Sequence, residues 1–307
     1  MYWDWIGKSM EYIKKRASNL RLWVQIIFTA LTNGYVIGFA KGKIYQGGSK
    51  KLCVPGLNCY SCPGAVGSCP IGSLQAVIGS RDFNVSFYVL GFLMIIGSLM
   101  GRFVCGWLCP FGLIQDLLHK IPIKKIQRVP GDNYLRYLKY VILVVFVLGM
   151  PLLLVGKSGY SSPWFCKLIC PSGTLLGGIP LISTNPNLQK VVGFLFGWKM
   201  SILILIIIAS ILIYRPFCKY LCPLGAIYGI FNRFSLYRYE VDNSKCTKCG
   251  LCHKKCEMNV KVYEKPNSAE CIRCGKCMKV CPHQAIHTTL HKVKPLDKKC
   301  DYQNNGQ

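Results

Sequence analysis

Acidic residues are scarce in this chain, which has 12 Asp and Glu against 38 Lys and Arg among 307 residues. Charged residues of both signs make up only 16% of the sequence, whereas 51% is hydrophobic and the mean hydropathy is +0.31. So low a charged fraction argues against an ordinary soluble domain and favours a membrane protein. The net charge of +26 could indicate nucleic-acid binding, but the basic residues are spread over every loop and no groove-reading motif is present. An excess of Lys and Arg in the loops at the membrane surface, together with a basic docking face for acidic redox partners, explains the charge better.

Histidine is also rare, and none of the five histidines falls in a long apolar run. They are His119, His253, His283, His287 and His291. A transmembrane b-type haem needs histidines inside the spans, so the sequence argues against haem as an internal electron carrier. The chain also lacks GxGxxG after a strand and GxxxxGK(S/T), and it therefore predicts no nicotinamide or nucleotide site.

Four segments are long and apolar enough to span a bilayer, which takes about 20 mostly apolar residues. They cover roughly residues 22–40, 85–101, 137–155 and 191–214. The first follows a basic stretch, as a signal peptide would, but no small-residue cleavage pattern follows it, so we expect an uncleaved span. Lys and Arg number fifteen before the first span, between the second and third, and after the fourth, against eight in the other two loops. Because basic loops stay cytoplasmic, both termini are predicted on the cytoplasmic side.

Cysteine is abundant, and two cysteine groups in the last quarter of the chain have ferredoxin spacing. CTKCGLCHKKCE begins at Cys246 and CIRCGKCMKVCP begins at Cys271. Both are CxxCxxCxxxC quartets, typical of a bacterial two-cluster ferredoxin, in which the fourth cysteine of each quartet binds the other cluster. This rule predicts Cys246, Cys249, Cys252 and Cys281 for cluster 1, and Cys271, Cys274, Cys277 and Cys256 for cluster 2. Zinc is the alternative, but all-cysteine zinc sites normally use two CxxC ligand pairs that are well separated in the sequence.

Four other cysteines open the tetrapeptide CPxG: Cys69, Cys109, Cys170 and Cys222. Three of these have another cysteine four residues earlier, namely Cys105, Cys166 and Cys218. Two residues four apart on a helix lie on one face, so both sulfurs can reach one metal centre. The proline ends one helix but suits the first turn of the next. Each CPxG cysteine is therefore predicted beside a new helix N-terminus, where free amides and the helix dipole stabilise a negatively charged cluster.

The predicted topology sorts these cysteines between the two faces of the membrane. Two pairs fall on the cytoplasmic side and supply the thiolates of an inner cluster: Cys105, Cys109, Cys218 and Cys222. The third pair meets the cysteines of the first loop and gives an outer cluster: Cys62, Cys69, Cys166 and Cys170. Cys59 could replace Cys62, or Cys53 and Cys59 could form a disulfide. The chain thus reads as two pseudo-symmetric repeats, residues 22–120 and 137–232, each with one inner and one outer motif.

The two CxxxCP motifs, Cys105 to Pro110 and Cys218 to Pro223, followed by a two-cluster ferredoxin segment, resemble the membrane-bound polyferredoxins of the NapH, NosR and CcoG type. The likeness covers roughly residues 85–285. It implies an iron-sulfur membrane subunit that moves electrons between the quinone pool or cytoplasmic donors and an extracytoplasmic redox partner. The outer cysteines depart from the NapH pattern, which favours a conduit through the membrane over quinol dehydrogenation alone.

The whole sequence predicts a membrane α-helical protein of the cell membrane, with four transmembrane helices and a C-terminal two-cluster ferredoxin domain. We expect a cytoplasmic segment over residues 1–21, a four-span domain over 22–235, the ferredoxin domain over 240–290 and a polar tail over 291–307. The cofactors are 4Fe-4S clusters, two in the ferredoxin domain and one or two at the membrane edges. The leading hypothesis is an electron-transfer subunit that links a cytoplasmic ferredoxin or reductase to an extracytoplasmic protein such as a flavoprotein. The alternatives are a quinol or quinone oxidoreductase subunit and a copper-cofactor assembly reductase.

Overall fold

The computed structural model describes residues 20–80, 86–127, 129–154, 161–190 and 192–290. The helices before residue 160 are α1 Leu20–Thr32, α2 Ile37–Lys41, α3 Pro70–Ile78, α4 Ser86–Met100, α5 Phe103–Trp107, α6 Pro110–His119, α7 Asp132–Leu135, α8 Leu138–Ile142 and α9 Met150–Leu153. Those after it are α10 Trp164–Leu168, α11 Pro171–Gly173, α12 Ile179–Thr184, α13 Pro186–Gln189, α14 Phe194–Leu212, α15 Pro223–Phe231, α16 Leu251–Lys254 and α17 Lys276–Val280. Shorter pieces are a 3-10 turn at Gly48–Lys51 and π-helical segments at Leu143–Gly149, Thr174–Gly178 and Phe217–Leu221.

Within the described residues, two helical stretches are long and apolar enough to cross a membrane. One is α14, with 19 residues, and the other is the 22-residue stretch Asp132–Leu153 that runs through α7, α8 and α9. Ile204, Leu205 and Ile208 of α14 are exposed, which suits a surface facing lipid better than one facing water. These stretches coincide with the third and fourth predicted spans, whose terminal residues 155 and 191 lie outside the described residues.

The first two predicted spans correspond to shorter apolar helices, α1 and α4. Helix α1 ends at Thr32 because polar side chains bond to its last turn: Thr32 Oγ1 donates to the Phe28 carbonyl at 2.9 Å and Asn33 Nδ2 donates to the Thr29 carbonyl at 3.1 Å. Such side-chain bonds compete with helix continuation. The backbone N–H of Tyr35 then donates to Gly64 at 3.1 Å, which ties the chain to the first loop. The predicted span over residues 22–40 is therefore interrupted near residue 33, and residue 85 of the second lies outside the described residues.

Each of the four CPxG motifs joins an extended cysteine to a new helix, as expected from its proline. The cysteines have extended backbone conformations, and the prolines after them are the first residues of α3, α6, α11 and α15. Proline is tolerated at a first helical position because its missing N–H has no partner within the helix. Helix α6 packs on α14, and α15 packs on α4 and α8. The two halves of the chain thus interlock through the helices that the CPxG motifs begin.

The segment from Tyr239 to Thr288 has the pseudo-symmetric plan of a small ferredoxin. Its strands, β1 Tyr239–Val241 and β2 Ile286–Thr288, pair antiparallel with Tyr239 opposite Thr288. Each half then places a left-handed glycine before a short helix, Gly250 (φ 74°) before α16 and Gly275 (φ 78°) before α17. A side chain at these positions would be strained, so glycine is required where each cysteine loop enters its helix.

A buried ion cluster fastens this ferredoxin segment to the apolar helices. Arg102, which is fully buried after α4, donates to Glu270 Oε2 at 2.9 Å, and Lys139 of α8 pairs with the same carboxylate. Burial alone would raise the pKa of Glu270, but Arg102 and Lys139 hold it below its usual range. Asn232 adds a neutral link by donating to the Cys271 carbonyl at 2.7 Å. The ferredoxin segment is thus packed on the apolar helices and not tethered loosely to them.

Glu270→Gln is expected to lower the free energy of unfolding by about 3–5 kcal/mol, because it leaves two buried cations without their carboxylate. Thermal unfolding in detergent, followed by proteolysis of the ferredoxin segment, measures the effect. Glu264→Gln is the matched control, since its partner Lys261 lies at 3.4 Å and both side chains are about half exposed. Equal stability of the two variants would show that the buried ion pairs of Glu270 do not stabilise the protein.

Candidate iron-sulfur centres

The ferredoxin segment contains two small cavities, each surrounded by four cysteines. One is lined by Cys246, Cys249, Cys252 and Cys281, and the other by Cys256, Cys271, Cys274 and Cys277. Each has about 370 Å³ of atom-free space. The crossing rule predicts the same two sets. Four thiolates around one small space are the donor set of a cubane 4Fe-4S cluster, so these residues fit that cofactor.

A third cavity of similar size lies among the helices that the two inner CxxxCP motifs begin or end. Its cysteines are Cys105 on α5, Cys109 before α6, Cys218 in the π-helical segment and Cys222 before α15. The atom-free space is about 310 Å³, and all four side chains are buried. Each half of the chain therefore contributes one CxxxC pair to this inner cavity, as the sequence predicts. Its size and donor set match those of the two ferredoxin cavities.

Two buried arginines hold the halves of the inner cavity together. Arg102 and Arg215 each stand three residues before a CxxxC pair and are fully buried. Arg102 Nη2 donates to the Cys218 carbonyl at 2.8 Å, and Arg215 Nη1 donates to the Cys105 carbonyl. Each guanidinium thus fixes the first cysteine of the opposite motif. The arginines also bring positive charge next to a site that gathers thiolates, which favours the anionic form of the ligands.

Three carboxylates near the inner cavity each form ion pairs with two basic side chains. Each set of one carboxylate and two basic side chains therefore has a net positive charge. The groups are Glu270 with Arg102 and Lys139, Asp116 with Arg21 and Arg215, and Asp132 with Arg136 and Lys219. A cubane cluster with four thiolates is an anion, and surrounding positive charge compensates for its burial. In the ferredoxin segment, burial raises the pKa of the Cys271 thiol to about 12.

A fourth cavity differs from the others in size and in its number of cysteines. It is lined by Cys53, Cys59, Cys69, Cys166 and Cys170 and has about 1850 Å³ of atom-free space. A Cβ added to Gly173 would lie 3.7 Å from the Cys59 sulfur and 3.9 Å from the Cys170 sulfur. These two sulfurs therefore share one side of the cavity. This outer cavity is much larger than the three others.

Cys62, which the sequence predicts as an outer ligand, does not line the outer cavity. Its sulfur lies 3.6 Å from Asn33 Oδ1, on the side of α1. The structure instead brings Cys59, the alternative left open by the sequence, together with Cys69, Cys166 and Cys170. Cys53 and Cys59 are both free thiols, so the structure does not contain the disulfide that the sequence left open.

Three of these cavities are joined by direct contacts: the Cys271 cavity of the ferredoxin segment, the inner cavity and the outer cavity. A Cβ on Gly106, beside Cys105, would overlap the carbonyl oxygen of Ile272, which is beside Cys271. Trp107 Nε1 also donates to the Arg273 carbonyl at 3.1 Å. At the other end, Leu57 lines both the inner and the outer cavity. The inner cavity thus touches the ferredoxin segment on one side and the outer cavity on the other.

Sequence reasoning missed Arg102, Arg215 and Tyr228. Tyr228 is fully buried and donates to the Pro55 carbonyl at 3.0 Å, at the wall that the inner cavity shares with the first loop. The two arginines have a readable signal, because RxxCxxxCP occurs at both inner motifs and at neither outer one. Tyr228 has no comparable signal, since an aromatic residue in an apolar helix is ordinary.

Comparison with known proteins assigns the same chemistry. A family model described as a 4Fe-4S binding domain matches residues 83–130, 141–185 and 195–238, and a second model with that description matches residues 265–287. The second match confirms a C-terminal ferredoxin domain. Together with the cysteine-lined cavities, these matches define an iron-sulfur electron-transfer protein.

The relatives place the chain in a family. Two uncharacterized proteins of Methanocaldococcus jannaschii are 34% identical over 206 residues, covering 64% of this chain and 76% of the relative, and 30% identical over 179 residues, covering 56% and 58%. The ferredoxin-type protein NapH of Haemophilus influenzae is 30% identical over 173 residues, covering 54% of this chain and 50% of its own length. This chain belongs to the 4Fe-4S ferredoxin-type family that includes NapH, NosR and MauN. The matched region spans about half the length of NapH, and no solved structure matches the chain.

Proposed function

We propose that this protein carries electrons between its ferredoxin domain, on the cytoplasmic side, and a redox partner on the extracytoplasmic side. The observation that carries the proposal is the series of three cysteine-lined cavities that adjoin one another from Cys271 through Cys105 and Leu57 to Cys59. The fourth cavity lies in the same ferredoxin segment as Cys271. The contact at Gly106 and the shared lining residue Leu57 keep neighbouring cavities close to one another. Electron tunnelling falls steeply with distance, so such contacts favour transfer along the series.

The ligand sets follow from the cavity linings. We assign Cys246, Cys249, Cys252 and Cys281 to cluster 1, Cys256, Cys271, Cys274 and Cys277 to cluster 2, Cys105, Cys109, Cys218 and Cys222 to the inner cluster, and Cys59, Cys69, Cys166 and Cys170 to the outer cluster. A 4Fe-4S cluster supplies one-electron chemistry when bound. The protein's own residues hold the sulfurs, exclude water from the inner cavity and compensate its negative charge through Arg102 and Arg215.

The membrane arrangement that fits this function has four spans, with the two repeats over residues 22–235 and both termini cytoplasmic. The long stretches Asp132–Leu153 and Phe194–Leu212 support two of the spans. The apolar helices α1 and α4 supply the other two, α1 together with the interrupted chain after Asn33. In this arrangement the short helices α3 and α11, which begin directly after Cys69 and Cys170, belong to re-entrant loops that bring the outer cluster inward and shorten the path across a hydrocarbon core of about 30 Å.

Metal analysis of the purified protein tests the proposal. Four cubane clusters predict about sixteen iron and sixteen sulfide ions per chain, with electron paramagnetic resonance signals in the reduced protein. The copper-assembly alternative requires copper, and the zinc alternative requires zinc without sulfide. Copper or zinc in place of iron would refute the electron-transfer proposal.

A quinol or quinone oxidoreductase is the second candidate, and one cavity favours it. About 1490 Å³ of atom-free space lies between α1, α6 and the ferredoxin domain, lined in part by His119, Tyr214 and Cys274. The imidazole Nδ1–H of His119 donates to the Ser210 carbonyl at 3.2 Å, which leaves Nε2 free to accept a hydrogen bond from a quinol hydroxyl. Reduction of the purified protein by a soluble quinol would support this function, and indifference to quinols would count against it.

A further inference from the structure

Glutamine occupies the same position after two of the four CPxG motifs. Gln75 follows Cys69 by six residues, and Gln115 follows Cys109 by six. The equivalent positions after Cys170 and Cys222 are Leu176 and Tyr228. Both glutamines therefore come from the first half of the chain, one beside the outer cavity and one beside the inner cavity.

The two side chains make matching contacts with cysteines of the second half. Gln115 Nε2 lies 3.2 Å from the Cys218 sulfur, and Gln75 Nε2 lies 3.4 Å from the Cys166 sulfur. In each case the cysteine is the first of a CxxxC pair. Gln75 and Gln115 are completely or almost completely buried. A buried amide needs hydrogen-bond partners, so these contacts are not incidental features of a surface.

The orientation of both amides is fixed by their other neighbours. The Oε1 atom of Gln75 accepts from the Phe165 backbone N–H at 2.9 Å, so the Nε2 atom must face the sulfur. The Nε2 atom of Gln115 also faces the Phe111 carbonyl at 3.5 Å, which accepts and cannot donate. The amide N–H groups, and not the carbonyl oxygens, therefore point at the two thiolates.

We propose that Gln75 and Gln115 are positioning residues that set the reduction potentials of the outer and inner clusters by donating one N–H each to a ligand sulfur. The inference rests on the proposed function, because it takes Cys166 and Cys218 as ligands. A reduced cluster has more negative charge on its sulfurs than an oxidised one, so a donated N–H stabilises the reduced form and raises the potential. The first half of the chain thus applies the same adjustment once at the outer site and once at the inner site.

Gln115→Met removes the donor at nearly constant volume and is expected to lower the midpoint potential of the inner cluster only. The hydrogen bond to a charged sulfur predicts about a tenfold fall in the ratio of reduced to oxidised cluster at a fixed applied potential, which corresponds to about 59 mV for one electron. Gln75→Met is expected to shift the outer cluster by a similar amount and to leave the inner one unchanged. Each variant is therefore the control for the other in a redox titration followed by electron paramagnetic resonance.

Unchanged potentials in both variants, with a full complement of iron, would overturn the inference and leave the proposed function intact. Absence of iron and sulfide from the unaltered protein would refute the proposed function instead. If a methionine variant loses its cluster, Gln75→Leu and Gln115→Leu repeat the titration with a second side chain. Loss of the cluster in both substitutions at one position would show that the glutamine is required for assembly and would refute its role in setting the potential.

Discussion

Replacing Cys166 and Cys170 with serine is expected to abolish electron delivery to an acceptor outside the membrane, while the ferredoxin and inner clusters remain reducible. Both sulfurs line the outer cavity, and neither lines the three others. Serine hydroxyls do not replace two of four thiolates, so the outer site should be lost as a unit. Vesicles that contain the reconstituted protein, a reductant on the ferredoxin side and a membrane-impermeant dye on the other measure delivery. Dye reduction at the rate of the unaltered protein would defeat the proposed path.

The single variants Cys59→Ser and Cys62→Ser give this experiment a matched pair. Cys59 lines the outer cavity, whereas Cys62 is turned toward Asn33. Cys59→Ser is therefore expected to lose about four iron ions per chain together with delivery to the dye, and Cys62→Ser to retain both. The reverse pattern would assign the ligand to Cys62.

Gly106→Val is expected to break the connection between the ferredoxin domain and the inner cluster. A Cβ at Gly106 would overlap the Ile272 carbonyl oxygen, and because this neighbour is backbone, the whole loop with Cys271 must move away. The iron content should stay near that of the unaltered protein, since no ligand is removed. Electrons supplied to the ferredoxin domain should then reach the inner cluster far more slowly, because tunnelling depends steeply on separation.

Rapid mixing with a reductant, followed by freezing and electron paramagnetic resonance, measures this transfer directly. Gly91→Ala on α4 is the control, because nothing lies within 4 Å of a Cβ at that position. Transfer in Gly106→Val as fast as in Gly91→Ala would show that electrons do not pass through this contact.

The sequence predicted the cysteine groups best where their spacing is local. The two ferredoxin quartets constrain their own loops, and the four cysteines of each predicted set line one cavity. The inner set was also predictable, because each CxxxC pair occupies less than two helical turns and only the meeting of two pairs had to be inferred. The family and its iron-sulfur chemistry followed from these patterns, whereas the roles of individual cysteines as ligands stay predictions.

The outer site was harder to predict because its choice of cysteine depends on tertiary contacts. Cys59 and Cys62 are three residues apart in a loop without regular structure, and the contact of Cys62 with Asn33 decides which sulfur faces the cavity. The same Asn33 interrupts the first predicted span, a local effect that a count of apolar residues does not register. The bonds of Arg102 and Arg215 to opposite cysteine carbonyls connect residues 116 and 110 positions apart, and no local pattern reveals such bonds.

The exchange of arginines and cysteines between the two halves has a consequence for biosynthesis. Residues up to 120 supply only two of the four sulfurs around the inner cavity, and Arg102 finds its carbonyl partner only once Cys218 has been made. A nascent chain that ends after the first repeat therefore lacks two of the four proposed ligands of the inner cluster. A cluster held by the four proposed ligands could therefore be completed only after translation of the second repeat, and Glu270 completes the environment of Arg102 later still.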